Sequence, residues 1–145
     1  PILGICNGFQ ILVESGLIPG ALVINKSLRF ICKWTNIIVK NNKTPFTNLF
    51  KENEKMLIPI AHGEGKYVAD KKTYTDINKK NMITLRYHGE NPNGSIGSIA
   101  AVCNSRGNVM GMMPHPERAC IENLTPLNSV SNAALVFRSL ISHIK

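Results

Sequence analysis

The segment PILGICNGFQILVESG, Pro1 to Gly16, decides how the rest of the chain is read. Its opening run, PILGI, is short and apolar, the pattern of a strand buried in a parallel sheet. Beyond Cys6, the residues Phe9, Leu12 and Val13 fall at i, i+3 and i+4, which predicts a helix that starts at once. Gly16 suits the position just past a helix end, and Pro19-Gly20 turns the chain away. Strand, tight turn and helix are therefore expected, with Cys6 at the bend.

Gly4-x-Cys6-x-Gly8 has the form of a nucleophile elbow with cysteine in place of serine. Glycines on both sides predict close approach of the strand and helix backbones where a β-carbon would collide. Unpaired N–H groups and the positive dipole end of the helix favour a thiolate over a thiol. The same N–H groups, that of Asn7 first, suit an oxyanion formed by attack on a carbonyl. Small residues around a buried cysteine also occur at ordinary strand–helix junctions, so on this stretch alone both readings of Cys6 stand.

A nearby base would separate them, and the chain offers four histidines. His143 falls in the last turn of a C-terminal helix, where a cation suits the dipole. His88 follows a strand and precedes a glycine-containing loop, which places it at the surface. His115 lies in MMPHPER, where Pro114 and Pro116 hold the backbone extended and project His115 and Glu117 to the same side. At that spacing a carboxylate reaches one imidazole nitrogen, fixes the tautomer and leaves the other nitrogen for a thiol. A proline-stiffened surface turn is the alternative. Cys6, His115 and Glu117 together supply a nucleophile, a base and an orienting group.

Composition narrows the setting. The chain of 145 residues is long enough for one domain with a core and too short for two, so residues 1–145 are read as a single unit. No run of about 18 apolar residues and no secretory leader is visible, which argues against a membrane span. The cysteines at 6, 32, 103 and 120 form no metal-ligand spacing, so no metal site is expected, and reduced thiols in a cytoplasmic protein are the default. The net charge of +8 comes from scattered lysines without an arginine-rich arm or interleaved aromatics. It reads as a solvated surface, or one suited to an acidic protein partner, rather than a nucleic-acid interface.

Further along, FICKWTNIIVK predicts a strand, and NNKTP a turn into a short helix with Thr44 as cap and Phe46, Leu49 and Phe50 on one face. MLIPIAHGEGKYVA reads as a strand, a glycine-rich loop and a short extended piece. A helical turn near TDINKK precedes the strand MITLRYH. After the loop ENPNGS, the runs SIAAVC and NVMGMM should form a hairpin through NSRG. SVSNAALVFRSLISHIK is the clearest helix, with Val130, Ala133, Ala134, Phe137, Leu140, Ile141 and Ile144 recurring on one face.

GICNGFQ together with PHPER resembles the class I (triad) glutamine amidotransferases. The blocks GLIPGAL, PIAHGEGKY, NPNGS followed by IA, and GNVMGMMPHPER are similar, in the same order, to segments of the glutaminase subunits of phosphoribosylformylglycinamidine synthases of purine biosynthesis. The resemblance implies an α/β fold, the flavodoxin-like three-layer domain of that class. Relatives begin well before the nucleophile, so the N-terminal strands, with a loop carrying a second oxyanion donor, would be missing and the chain would be a C-terminal portion.

Carried over by position, the resemblance implies Cys6 as nucleophile, His115 as general base and acid, and Glu117 as the residue orienting His115. Asn7 would supply an oxyanion N–H and Gln10 would lie against the substrate glutamine. His62, in AHGEG, would shape the site or a subunit contact. No cofactor is implied for this chain; ATP and magnesium would be used by a large synthase subunit, accompanied in many systems by a small third subunit. Two alternatives stay open: a non-catalytic subunit that only binds the synthase, and the glutaminase of another class I synthase, for GMP or CTP.

Overall fold

In the computed structural model, which describes residues 1–121, 124–126, 129 and 131–144, strand β1 (Ile2–Ile5) enters helix α1 (Asn7–Glu14) through Cys6 alone. Phe9, Leu12 and Val13 are the buried face of α1, and Gly16, at φ 73°, follows the capping residue Ser15. The chain continues as β2 (Ala21–Val23), β3 (Ile31–Val39), β4 (Lys55–His62), β5 (Lys66–Val68), α2 (Lys71–Lys79), β6 (Ile83–Tyr87), β7 (Ile99–Cys103), β8 (Val109–Met112) and α3 (Ala134–Ile144). The result is the expected mixed α/β fold.

Six strands form one sheet in the order β1-β8-β7-β6-β3-β4, and β2 pairs with β5 in a separate two-stranded ribbon. Among the described residues β1 and β8 are the parallel pair, with Ile5 opposite Met112; the other neighbours run antiparallel. The parallel reading of PILGI thus holds, but its burial does not. With pairing on one side only, β1 leaves Ile2 51% exposed and buries Gly4 alone.

The sheet curls. Two register shifts between β6 and β7 add bend and twist of the kind bulges produce. The segment beyond β8 reaches the far edge of the order: the His115 N–H donates to the Pro59 carbonyl of β4 at 2.9 Å. Pro59 lies on an outer strand of the order, where its missing N–H costs least.

Helix α1 packs against β1 and β8 through two glycines. A β-carbon on Gly4 would stand 2.5 Å from Leu12 Cδ1 and 2.6 Å from the Gly8 carbonyl, and one on Gly111 would collide with the Phe9 ring. Gly8 itself has nothing within 4 Å of such an atom. The close approach expected from both glycines of the elbow therefore comes from Gly4 and, across the sheet, Gly111. On its other side the Phe9 ring stacks on Tyr67 at 5.9 Å, and the Tyr67 hydroxyl donates to the Pro19 carbonyl at 2.5 Å.

Three helical expectations change. Thr44 to Phe50 forms successive turns rather than a helix: Thr47 and Phe50 bond back to carbonyls three residues earlier, and the Leu49 N–H goes to Ser139 Oγ at 3.2 Å. Phe46 and Phe50 are still buried, whereas Leu49 is not. Around TDINKK a full helix replaces the single turn, because Asp70 caps it by accepting from the Thr73 N–H at 2.7 Å. In α3 the buried residues are Val136 and Ser139, with Ala133 buried just before it, while Ile141 and Ile144 are exposed. Ser131, which donates to the Leu57 carbonyl at 2.7 Å, ties the approach to α3 onto β4. Val130 and Lys145 lie outside the described residues.

Candidate active site

Because β1 and β8 are parallel and in register, Cys6 and the segment after Met112 emerge at the same end of the sheet, where sites of α/β proteins gather. The Cys6 N–H donates to the Met112 carbonyl at 2.9 Å, and Cys6 takes φ 51° and ψ −105°, a conformation that L-residues with a β-carbon rarely adopt. Its sulfur lies 3.8 Å from the Ala61 carbonyl of β4 and 3.9 Å from Asn7 Oδ1. Asn7 is the first residue of α1, so its N–H has no partner within the helix.

Pro116 opens a short 3₁₀ turn, Pro116–Ala119, which folds Glu117 back toward His115. His115 Nδ1 and Glu117 Oε1 are 2.6 Å apart. A carboxylate accepts, so Nδ1 carries the proton and Nε2 presents a lone pair. Nε2 is buried and has no hydrogen-bond partner among the described residues. The Arg118 guanidinium stands 3.5 Å from the same Glu117 oxygen.

A cavity of about 390 Å³ opens on these groups, with Cys6, Asn7, Gln10, His62, His115 and Arg118 in its wall. Gln10 Nε2 donates to the Glu64 carbonyl at 3.2 Å and so ties α1 to the loop after β4. His62 is buried, and its Nε2, like that of His115, has no partner among the described residues. Burial, and then the neighbouring His115, lower the pKa of His62 to about 4, so its ring is neutral near pH 7. For Cys6, burial pushes the thiol above its ordinary value; the Asn7 N–H and the Arg118 guanidinium pull it down and Glu117 pushes it up. The helix start acts in the expected direction, but burial outweighs it.

This constellation sits in a chain with recognisable relatives. The model of the CobB/CobQ-like glutamine amidotransferase domain matches residues 2–142. The chain belongs to that family. Among solved structures, this amidotransferase domain superposes on PurLQS from Thermotoga maritima with a TM-score of 0.87 and 49% sequence identity, over 99% of its own length. It spans 62% of the PurLQS chain it matches. Two more distant structures share the fold at 15% identity. One is a protein described as a GMP synthase component from Thermoplasma acidophilum, with a TM-score of 0.62 over 98% of this chain and 56% of that one. The other is a glutamine amidotransferase from Thermotoga maritima, with a TM-score of 0.54 over 83% and 42%.

The five residues given catalytic or substrate-binding roles in the sequence lie in or beside one site of the amidotransferase domain, and His62, expected at the site or a subunit contact, lines the same cavity. Cys6, Asn7, Gln10 and His115 line the cavity and Glu117 backs His115. Arg118, which ends the PHPER block, was given no role in the sequence, yet it lines the cavity. Phe30, 68% exposed at the cavity, and Asn25, wholly buried behind His62, had no local pattern to mark them. His143 lies exposed in the last turn of α3, as its position suggests, whereas His88, expected at the surface, is half-buried after β6. No group of three metal-ligating side chains with the spacing for an ion occurs among the described residues.

Proposed function

We propose that this domain hydrolyses glutamine to glutamate and ammonia, as the glutaminase subunit of a phosphoribosylformylglycinamidine synthase in purine biosynthesis. The observation that carries the reading is the His115–Glu117 contact of 2.6 Å, with His115 Nε2 left as a buried lone pair in the cavity that also holds Cys6. Cys6 Sγ attacks the side-chain amide carbon of glutamine while its proton passes to His115 Nε2. The developing oxyanion is met by the Asn7 N–H at the start of α1. Collapse breaks the C–N bond, His115 returns the proton to the leaving nitrogen, and ammonia departs. Water, deprotonated by the same imidazole, then cleaves the γ-glutamyl thioester and restores the thiol. Gln10, pinned to the Glu64 carbonyl, lines the space for the substrate.

The likeness to PurLQS supports a synthase as destination for the ammonia. In this reading a large ATP- and magnesium-dependent subunit converts formylglycinamide ribonucleotide to its amidine, and a small third subunit completes the assembly. Phe30, 68% exposed at the cavity, and Leu28, 73% exposed two residues before it, offer apolar surface for such a partner. Four free cysteines suit a reducing cytoplasm, and no helix among the described residues is long and apolar enough to cross a membrane.

The test is Cys6→Ser in the presence of the synthase subunit. Glutamine-dependent amidine formation should vanish and ammonia-dependent formation persist, since only the ammonia source is removed. Glutamine-dependent turnover that survives the substitution would end the reading, and a subunit that never turns over glutamine would be a binding partner alone.

A further inference from the structure

The turn after β4 is held at both ends by Asn25, and further by Asn93, whose Nδ2 donates to the Gly65 carbonyl at 2.6 Å. Asn25, between β2 and β3, is completely buried. Its Nδ2 donates to the carbonyls of His62 and Arg29 at 2.8 and 2.9 Å, and its Oδ1 accepts from the Gly65 N–H at 3.1 Å. Its own N–H donates to the Gly63 carbonyl at 2.9 Å. Those backbone partners fix which end of the carboxamide is oxygen. The remaining contact, Oδ1 to His62 Nδ1 at 3.0 Å, therefore has the imidazole as donor.

That assignment settles the tautomer. With the proton on Nδ1, His62 Nε2 is a lone-pair acceptor, buried and without a partner among the described residues, on a side chain that lines the cavity shared with Cys6 and His115. A buried acceptor without a donor is costly and is retained where a ligand completes it. His115 Nε2 is the second such acceptor, and on the glutaminase reading it is occupied by the thiol proton of Cys6. His62 has no thiol of its own and awaits a donor from the substrate. Glutamine carries N–H groups at both ends.

We propose that Asn25 is a positioning residue of this site: it locks His62 in the Nδ1–H tautomer and holds the turn 62–65, so that His62 Nε2 accepts a hydrogen bond from an N–H of bound glutamine. The assignment rests on the glutaminase reading for the identity of the ligand, but not for the tautomer. Asn25 touches neither substrate nor thiol; it acts through His62 and through the Glu64 carbonyl that Gln10 engages. Gly65 belongs to the same device, because a β-carbon there would press into His62 Nδ1.

Two measurements on the full protein in complex with its synthase partner test this. Nitrogen-15 NMR of the labelled imidazoles should show His62 as the Nδ1–H tautomer, and as a mixture in Asn25→Ala. In steady-state glutaminase assays Asn25→Ala and Gly65→Ala should each raise KM for glutamine about tenfold, the loss of roughly one hydrogen bond, with kcat held within about threefold. Gly65→Ala reaches His62 without altering Asn25, so it carries the test if Asn25→Ala does not fold. A wild-type Nε2–H tautomer, or a folded variant with unchanged KM or with kcat falling as much as KM rises, overturns the proposal. A wild-type protein without glutaminase activity sinks the glutaminase reading instead, and the tautomer measurement distinguishes the two failures.

Discussion

Acid should destabilise this fold through His62. His62 is 4% exposed, and burial followed by the adjacent His115 lowers its pKa to about 4 from 6.5. A lowered pKa in a base means that the unfolded chain binds the proton more readily than the folded one. The stabilisation is therefore complete above about pH 6.5, falls as pH drops from there toward 4, and is fully lost below that. At about 1.4 kcal/mol per decade the whole gap is worth roughly 3 kcal/mol, of which about 2 kcal/mol should be gone by about pH 5. That is a large share of the roughly 5–15 kcal/mol typical of a domain. The Asp70 carboxyl, held low first by the Thr73 N–H, titrates below its ordinary 3.8 and stays out of this window. The assay is urea unfolding of the wild type and of His62→Gln at about pH 7 and about pH 5. The variant carries whatever pH-independent cost the substitution brings, so the stability difference between the two proteins should shrink by about 2 kcal/mol on acidification. A difference that stays constant within about 0.5 kcal/mol would refute the assignment of a buried, neutral His62.

Glu117→Gln should lower kcat for glutamine by about tenfold or more while moving KM little, because a neutral amide no longer holds His115 in one tautomer or stabilises its charged form; steady-state kinetics with the synthase subunit check this, and unchanged kcat would reduce the site to a Cys6–His115 dyad. The two glycines facing α1 and Cys6 should part company in stability. Gly111→Ala, whose β-carbon runs into Phe9, should cost about 1–3 kcal/mol, whereas Gly8→Ala, with open space and a helical position, should be neutral or stabilising by up to about 1 kcal/mol. Urea midpoints on the three proteins decide it, and equal losses at both positions would contradict the packing described for α1.

How much of this was legible depends on whether the information was local. The β1–α1 junction was readable because an apolar run, a helical spacing and Gly16 occur within sixteen consecutive residues. The pairing of His115 with Glu117 was readable from their closeness in sequence, but not its backbone: an extended segment was expected, whereas Pro116 opens a 3₁₀ turn that folds Glu117 back to His115. The hairpin of β7 and β8 followed from its turn, where Gly107 takes φ 73° and Asn104 Oδ1 accepts from the N–H groups of Asn108 and Val109. Helix α2 was underestimated because only Ile77 is buried along it, which leaves almost no apolar period; the cap at Asp70 was the better signal. The rotated face of α3 was illegible for a different reason. Ser139 turns inward to serve the Leu49 N–H, a demand set by a segment ninety positions away. Asn25 belongs to the same class: apart from the Arg29 carbonyl, its side-chain partners His62 and Gly65 lie 37 and 40 positions further on, and nothing beside it in the sequence announces them.

The electrostatics of Cys6 carry the last step. An elbow at a helix start suggests a thiolate waiting at rest, yet burial holds the thiol above its ordinary value against the opposing pull of the Asn7 N–H and Arg118. On the glutaminase reading a neutral thiol needs a base at the moment of attack, and the lone pair for that purpose is already present on His115 Nε2, fixed by Glu117. The second lone pair, on His62, does not compete for the same proton if a substrate N–H occupies it. Glutamine binding would then leave His115 Nε2 as the imidazole lone pair still open in the cavity, so that the thiol is activated with substrate in place and remains a poorly reactive, protonated group without it. The positive φ at Cys6 fits this division of labour: it aims the sulfur out of the strand into the cavity, while the proton is managed by groups from the end of β8 and the wall formed by β4.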